Sequence, residues 1–416
     1  MSEGLPARAA AQRALSDVLR KRHPLDTAFA QLPPRDAGFA RAIASETLRR
    51  LGQLEALIRA FVPKAPPPHK AGPTLEILYA GACELLFLNV SAHAAVDAAN
   101  RLAQADHKAV HFKPLINAVL RRVAREGRAA IEAQDAARLN APDWLWQRWN
   151  DAYGEETARA IATAHLGVAP VDLMVKGSIV PDGELLFGDV VRLNEPGRVD
   201  ALPGFVEGDW WVQDAAASLP ARLLGDVRGQ SVIDLCAAPG GKTMQLAAMG
   251  GRVIAVEREA SRAERIRENL ARTRLEAVVV ESDVRDFTPE TPAPFVLLDA
   301  PCTATGTIRR HPELPWIKSA ADINLCEQAA GELLDAAAAM TAPGGTLVFA
   351  VCSLEPEEGV EQAARFLERD TRFVRVPVTA DEVFGRGELI SAQGDLRTLP
   401  CHGMDGFFAA RFRRTE

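Results

Sequence analysis

The sequence predicts a multidomain protein with an all-α N-terminal domain, a small α+β middle subdomain and an α/β Rossmann-like domain. The chain of 416 residues is too long for one ordinary core, because a domain usually holds about 100 to 200 residues. Apolar residues recur at helical spacing through residues 5–128. From residue 231 onward short apolar segments alternate with helical ones, which is typical of a doubly wound parallel sheet.

The N-terminal domain, residues 1–130, is predicted to be helical throughout. Five segments within 5–128 place apolar residues three and four positions apart. Ser91 and Asp36 stand where helix N-caps are expected. A proline-rich stretch at 63–73 is predicted to be an extended connector between helices.

The middle subdomain and the Rossmann-like domain are predicted over residues 131–225 and 226–416. In the first of these, a helical pattern at 141–165 is followed by short strand-like pieces that Gly and Pro interrupt. In the second, seven segments have the character of strands, namely SVIDLC, RVIAVE, AVVVES, FVLLDA, GTLVFAV, RFVRVP and FFAARFRR.

The composition is that of a globular protein, with 25% charged and 48% hydrophobic residues. The chain contains no apolar run of about 18 residues. It also lacks a basic segment followed by an apolar one, the pattern of a secretory signal. We therefore expect a cytoplasmic protein that does not enter a membrane.

Charge is distributed unevenly along the chain. Residues 1–130 carry 19 Lys and Arg against 11 Asp and Glu, a net charge of +8, whereas the remainder has a net charge of −15. A basic module joined to an acidic one predicts that the basic module contacts phosphates. The alternative is a helical domain whose arginines are only solvated.

Six cysteines are spread over the chain, and they form neither a Cys-x-x-Cys pair nor a zinc-type spacing. A disulfide scaffold and a structural metal are therefore not indicated. Each cysteine is then either a small buried hydrophobe or a nucleophile. We assign packing roles to Cys83, Cys236, Cys326 and Cys401.

The segment DLCAAPGGKT, residues 234–243, is a glycine-rich turn between a strand and a helix, where doubly wound sheets bind nucleotides. A P-loop would need glycine five residues before Gly241, where Cys236 stands, and the Gly-x-Gly-x-x-Gly spacing is absent. The loop can therefore approach a ligand closely without cradling a diphosphate. Its predicted cofactor-binding residues are Cys236, Ala237, Ala238, Pro239, Gly240, Gly241 and Lys242.

Two acids at predicted strand ends favour a nucleoside ligand. Glu257 lies seventeen residues after Gly240, where a carboxylate can accept hydrogen bonds from ribose hydroxyls. Asp283 ends the third strand and is placed to meet an adenine amino group. A nucleoside without a diphosphate fits S-adenosylmethionine. Each acid considered alone could equally well be a solvated carboxylate at the end of a strand, with no ligand bound.

Two further segments each end an apolar run near a cysteine. LLDAPCTATGTIRRHPE, residues 297–313, contains Cys302, and LVFAVCSLEPEEG, residues 347–359, contains Cys352. Asp299 lies three residues before Cys302. Spacing alone does not indicate which of the two cysteines is a nucleophile.

The successive motifs DLCAAPGGKT, LLDAPCTATGTIRRHPE, VCSLEPEE and DGFFAARFRR resemble those of the Sun-type RNA (cytosine-5) methyltransferases. The helical front part resembles a NusB-like RNA-binding domain, and the combination is typical of the bacterial enzymes that methylate small-subunit ribosomal RNA. The resemblance implies a class I methyltransferase fold for the last domain. Two departures are Glu257, where the family usually has Asp, and LMVKG at 173–177, where the family more often has Arg-x-Asn.

The resemblance implies a reaction that needs both cysteines. Carbon 5 of cytosine becomes reactive when a thiolate adds to carbon 6, and the proton on carbon 5 must later leave. The family implies Cys352 as the nucleophile and Cys302 as the residue that assists release. DNA cytosine-5 methyltransferases use a Pro-Cys cysteine instead, which would nominate Cys302. Asp299 is expected to protonate or hydrogen-bond ring nitrogen 3 and to contact the cofactor.

Arg309, Arg310 and His311 follow the Pro-Cys loop and are expected to hold the RNA backbone, the alternative being a loop that is only solvated. The target base must be unpaired or unstacked. We expect a monomer that needs no metal and no obligate protein partner, with ribosomal RNA as its substrate. The alternatives are a methyltransferase acting on tRNA or DNA and a catalytically silent RNA-binding assembly factor. The two cysteines, Asp299 and the uninterrupted glycine loop favour an enzyme.

Overall fold

The computed structural model describes residues 4–25, 28–29, 32–64, 66–193 and 197–415. Two compact units are present. The helical unit runs to Gly167 and also takes in Ile308–Ser319, and the sheet unit comprises Val168–Thr307 and the chain from Ala320 onward. Every helix in the described part of the chain is too short or too polar to cross a bilayer.

The helices of the described residues are α1 (Leu5–Lys21), α2 (Pro34–Arg49), α3 (Leu51–Phe61), α4 (Pro68–Ala71), α5 (Thr74–Leu86), α6 (Ala92–Ala105), α7 (Lys113–Glu132), α8 (Ala136–Leu139), α9 (Asp143–Tyr153), α10 (Glu155–His165), α11 (Ala215–Arg222), α12 (Gly241–Ala248), α13 (Ala260–Thr273), α14 (Leu314–Ile317), α15 (Ala320–Met340) and α16 (Val360–Arg369). The strands are β1 (Val171–Val175), β2 (Glu184–Phe187), β3 (Val190–Leu193), β4 (Trp210–Val212), β5 (Ser231–Leu235), β6 (Arg252–Glu257), β7 (Ala277–Glu281), β8 (Ala293–Asp299), β9 (Thr341–Val351), β10 (Phe373–Arg375), β11 (Leu396–Thr398) and β12 (Phe407–Arg414).

The all-α prediction for the N-terminal domain is confirmed, since α1 to α7 pack around a core that includes Leu15, Ile43 and Leu120. The Ser91 hydroxyl caps α6 by accepting from the backbone N–H of Ala94. The expected N-cap at Asp36 is wrong. Helix α2 already begins at Pro34, whose fixed φ suits the first helical position. Asp36 instead lies in the first turn, where its charge complements the helix dipole.

The segment 308–319 leaves the sheet unit to join the core of the helical unit. The Trp316 indole N–H donates to the carbonyl of Leu48 at 3.0 Å. Arg49 donates to the carbonyl of Arg309 at 3.0 Å. Ile317 is buried among the apolar residues of the helical core. The hydrophobic periodicity of the sequence did not indicate that this segment joins the helical unit.

A four-stranded antiparallel sheet with the order β2-β3-β1-β4 occupies the start of the sheet unit. Its strands account for the strand-like pieces predicted before residue 225. Helices α8 to α10 lie in the same compact unit as the N-terminal helices. The predicted boundaries at 130/131 and 225/226 stay predictions.

The main sheet has the order β7-β6-β5-β8-β9-β12-β10, with β11 also paired to β12. All seven predicted strands are present, and β5 to β9 run parallel. The prediction of a parallel sheet is wrong for β10 and β12, which pair antiparallel, and β11, a strand that the sequence did not predict, is antiparallel as well. Parallel strands bring their carboxyl ends to one edge, so the turns after β5, β6, β7, β8 and β9 lie together there.

Candidate active site

A pocket of about 290 Å³ lies at this edge of the sheet. Its volume is near the lower end of the range for small-molecule sites. The pocket brings together seven of the residues predicted from the sequence, namely Cys236, Ala238, Glu257, Asp283, Asp299, Cys302 and Cys352. Side chains that follow five different strands therefore meet in one cavity.

The glycine loop between β5 and α12 turns sharply through two residues with positive φ. Cys236 has φ 59° and Gly240 has φ 99°. A side chain at Gly240 would be strained by this φ, and its Cβ would lie 3.2 Å from Ile266. The backbone can follow this course only because position 240 is glycine, which agrees with the predicted close approach to a ligand.

Asp234 anchors the glycine loop from beneath. Its carboxyl is fully buried and accepts a hydrogen bond from the Thr243 hydroxyl at 2.6 Å. Burial raises the pKa of Asp234 to about 7, against the opposing effects of the Thr243 hydrogen bond and the Lys242 charge. The prediction from the sequence did not single out this residue, although it is the second-last residue of β5, which precedes the glycine loop.

Glu257 is nearly buried at the end of β6, as predicted. Its carboxylate accepts from the backbone N–H groups of Glu259 at 3.1 Å and Ala238 at 3.4 Å. The side chain therefore has a defined orientation at the pocket wall. Glu257 and the glycine loop are joined directly by the second of these bonds.

Asp283 lines the pocket from the turn that follows β7, because that strand ends at Glu281 rather than at Asp283. Arg285 donates to both carboxylate oxygens, at 2.9 and 2.8 Å. Hydrogen bonds from the Arg285 side chain and backbone lower the pKa of Asp283 to about 2. The carboxylate is thus ionised and oriented by a residue two positions away.

Lys242 and Asp299 form an ion pair inside the site. The Lys242 ammonium lies 2.7 Å from a carboxylate oxygen of Asp299, and Lys242 is only 8% exposed. Burial alone would lower the pKa of Lys242, but the charge of Asp299 and its hydrogen bond raise it overall. The sequence placed Lys242 in the cofactor loop, whereas the structure also makes it the charged partner of the predicted catalytic acid.

Cys302 and Cys352 face each other with their sulfur atoms 3.5 Å apart, although fifty residues separate them in the chain. The hydrogen bond to Cys352, together with burial, raises the pKa of the Cys302 thiol well above its ordinary value. The backbone N–H of Gly306 donates to the carbonyl of Cys352 at 3.0 Å and ties the two loops together. Cys302 therefore holds its proton more firmly than an ordinary thiol.

The other four cysteines have different surroundings. Cys83 is completely buried in the helical core, as the packing assignment predicts. Cys401 is exposed, so the packing assignment is wrong for it. It lies in the short turn Pro400–His402, where the side chain faces solvent. Cys236 and Cys326 are half-buried.

The predicted RNA-binding residues Arg309, Arg310 and His311 belong to the helical unit. Arg309 is 6% exposed. Arg309 is therefore the most buried of the three, and its contact with an RNA backbone stays a prediction. Arg310 is half-buried, and the side chain of His311 is 40% exposed and lies 3.7 Å from Glu313.

Comparisons with known proteins agree with both parts of the chain. The model of the family described as 16S rRNA methyltransferase RsmB/F matches residues 221–413, and that of the NusB family matches residues 5–125. The ribosomal RNA small subunit methyltransferase B of Cronobacter sakazakii is 37% identical over 89% of this chain and 91% of its own. The protein of the same name from Vibrio cholerae is 36% identical over 88% and 91% of the two chains.

Solved structures show the same fold. The crystal structure of PH0851 has a TM-score of 0.73 with 23% identity and covers 99% of this chain and 98% of its own. NSun6 from Pyrococcus horikoshii has a TM-score of 0.56 with 18% identity over 66% of this chain and 98% of its own. The predicted resemblance to Sun-type methyltransferases with a NusB-like front domain is confirmed.

Proposed function

The chain belongs to the 16S rRNA methyltransferase RsmB/F family, and on that premise we propose that it forms 5-methylcytidine in small-subunit ribosomal RNA through a covalent cysteine–cytosine adduct. The observation that carries the proposal is the pair of thiols 3.5 Å apart beside the Lys242–Asp299 ion pair. A methyltransferase whose acceptor atom is already nucleophilic does not need two facing thiols in its pocket. A protein that only binds RNA does not need them either.

The cofactor of this RNA methyltransferase is S-adenosylmethionine, which supplies an electrophilic methyl group when bound. The residues of the pocket fit this molecule. The oriented carboxylate of Glu257 suits ribose hydroxyls, and the ionised Asp283 suits an amino group. The left-handed turn at Gly240 lets the loop backbone approach closely. Asp299 completes the binding residues at the end of β8.

Cys352 is the proposed nucleophile. Addition of its thiolate to carbon 6 of cytosine turns carbon 5 into an enamine carbon that can accept a methyl group. A Cys352 thiolate and the Lys242 ammonium attract each other. Asp299 is proposed to bind ring nitrogen 3, and the Lys242 ammonium donates a hydrogen bond that orients this carboxyl. Cys352, Asp299 and Lys242 thus surround the position of the target base.

Cys302 is proposed to remove the proton from carbon 5 so that Cys352 can be expelled. The main reasons for its raised pKa are the hydrogen bond to Cys352 and burial, followed by the charge of Cys352. Once Cys352 becomes a thioether, its charge and its capacity to accept the Cys302 proton are largely lost. The pKa of Cys302 then falls, its proton passes to solvent, and the resulting thiolate accepts the proton of carbon 5 as the bond between Cys352 and carbon 6 breaks.

The proposed substrate is ribosomal RNA, with phosphate contacts from the basic helical unit. Helix α7 carries four exposed arginines, Arg121, Arg122, Arg125 and Arg128. Replacing Arg121 and Arg125 with Ala should reduce the slope of log affinity against log salt by about 1 for each phosphate that is no longer neutralised. An unchanged slope would show that these arginines do not neutralise RNA phosphates. The matched control is Arg265→Ala, which removes an exposed arginine of α13.

The experiment that tests the proposal is bisulfite sequencing of total RNA from a deletion strain complemented with wild-type protein or with Cys352→Ala. One cytidine of 16S rRNA should lose its protection in the deletion strain and regain it only with the wild type. If a tRNA or DNA cytosine lost its protection from bisulfite conversion instead, that nucleic acid would be the substrate. No loss of protection anywhere would indicate a silent assembly factor.

A cytoplasmic location, a monomeric state and the lack of an obligate protein partner stay predictions. Size-exclusion chromatography with light scattering checks the monomer, since a mass near twice the 44.8 kDa of the chain would contradict it.

A further inference from the structure

We propose that Glu358 is a positioning residue that holds Cys302 and Cys352 at their working separation, an inference that rests on the proposed function. Glu358 lies six residues after Cys352, in a short turn that precedes α16. Its side chain is 1% exposed, lies outside the pocket lining and has no role in the mechanism above.

The side-chain carboxyl group of Glu358 binds the residue after Cys302 and also the residue after Cys352. Oε1 accepts from the backbone N–H of Thr303 at 2.8 Å, and Oε2 accepts from the Thr303 hydroxyl at 2.6 Å. Oε2 also accepts from the hydroxyl of Ser353. Thr303 follows Cys302 and Ser353 follows Cys352, so a single side chain joins the two cysteine-bearing loops immediately behind the sulfur atoms.

The surroundings make this connection costly to break. Thr303, Ser353 and Glu358 are all essentially buried, and burial raises the pKa of Glu358 although the three donors lower it. Without the carboxyl, the N–H of Thr303 loses its acceptor in a site that water does not readily enter. The two loops would then relax separately, because each could satisfy its polar groups in another arrangement.

The hydroxyls of Thr303 and Ser353 lie 3.4 Å apart, and the Thr305 hydroxyl lies 3.3 Å from that of Ser353, so longer contacts between the two loops accompany those of Glu358. The Gly306 N–H reaches the carbonyl of Cys352, and Thr305 donates to Glu355 at 3.2 Å. These contacts explain why the loops would stay folded without Glu358. The separation of the thiols, however, depends on residues 303 and 353, which Glu358 alone joins among the described carboxyl groups.

Thiol separation can be measured without RNA or cofactor. Diamide oxidises two close thiols, so that one S–S bond forms and both hydrogens pass to the azo group, which becomes a hydrazine. The rate of Cys302–Cys352 disulfide formation in the full chain, followed by mass spectrometry of the linked peptides, reports how well the sulfurs meet. Glu358→Ala should slow this reaction about tenfold relative to the wild type, because small misplacements of reacting groups are costly.

Three variants make the result decisive. Glu358→Gln keeps the volume and can accept from Thr303 while donating to the hydroxyls, so it should react within about twofold of the wild type. Glu361→Ala removes a half-exposed carboxylate three residues away and should match the wild type. Should Glu358→Ala fail to fold, Glu358→Asp keeps the charge but shortens the side chain by one methylene, so it should be slowed because its carboxylate cannot bind both loops at once. Equal rates for the wild type and every folded variant among Glu358→Ala and Glu358→Asp would overturn the proposal.

The consequence for the reaction is measured as the fraction of protein trapped on RNA in a denaturing gel. Glu358→Ala should hold about ten times more adduct than the wild type, since Cys302 no longer reaches its proton. Its affinity for S-adenosylmethionine should be unchanged, which a general loss of structure would not allow. A slowed disulfide with no adduct even in Cys302→Ala, where release should stall, would contradict the proposed reaction but keep the positioning role. Wild-type levels of adduct in Glu358→Ala, with adduct observed in Cys302→Ala, would overturn that role.

Discussion

The two sides of the pocket are held in different ways. On the cofactor side, Asp283 is oriented by Arg285 and Glu257 by the backbone of Glu259, each only two positions along the chain. On the thiol side, Cys302 and Cys352 are fifty residues apart and meet through contacts of Glu358 that bridge more than fifty positions. Local turns thus orient single carboxylates on the cofactor side, whereas the two thiols are positioned by contacts between distant loops.

The largest effect is expected from the two thiols. Cys352→Ala should abolish both methyl transfer and the covalent adduct, because carbon 5 stays unreactive without the addition. Cys302→Ala should still permit attack and methylation but stall release, so that an RNA adduct accumulates in a denaturing gel. An adduct formed by Cys352→Ala and missing in Cys302→Ala would exchange the two roles.

Asp234, beneath the cofactor side, should make stability depend on pH. Its pKa is raised from 3.8 to about 7 in the folded protein. The stability from this group is therefore complete below pH 4 and is lost as the pH rises through 7, by up to about 4 kcal/mol. Asp234→Asn should abolish this loss in unfolding curves recorded between pH 4 and 8. Parallel curves for both proteins would contradict the assignment.

Lys242 connects the two sides, because it comes from the cofactor loop and binds Asp299. Lys242→Met should lower single-turnover methyl transfer about 100-fold, since the carboxyl at ring nitrogen 3 loses the hydrogen bond and the charge that orient it. The control is Lys318→Met, a change of the same kind in the helical unit. Equal rates for Lys242→Met and the wild type would show that the ion pair has no part in the reaction.

The smallest effect is expected on the cofactor side alone. Asp283→Ala should weaken S-adenosylmethionine binding by about 1 to 3 kcal/mol, the usual cost of an unpaired polar partner. Titration calorimetry measures this, with the exposed Glu281→Ala as the neighbouring control. Thiol oxidation by diamide should be unchanged in Asp283→Ala if the two sides of the pocket are independent.

Much of the site could be predicted because its residues stand in local patterns. Glu257 and Asp299 end parallel strands as expected, and Gly240 has the positive φ that its turn requires. Each of these positions follows from a strand, a turn and a helix adjacent in the chain. The antiparallel pairing of β12 could not be predicted in this way, because an apolar strand has the same pattern in either direction.

The amino-acid sequence by itself determined the helical front part, the succession of strands and which residue types stand at the strand ends. Only the tertiary structure decided that Arg309 is buried with the segment 308–319, that Lys242 meets Asp299, and that Glu358 joins the loops of Cys302 and Cys352. The physical reason is the separation along the chain over which each kind of interaction acts. Hydrophobic periodicity and turn chemistry act over a few residues, whereas these contacts join groups brought together only when the whole sheet unit or helical unit has packed.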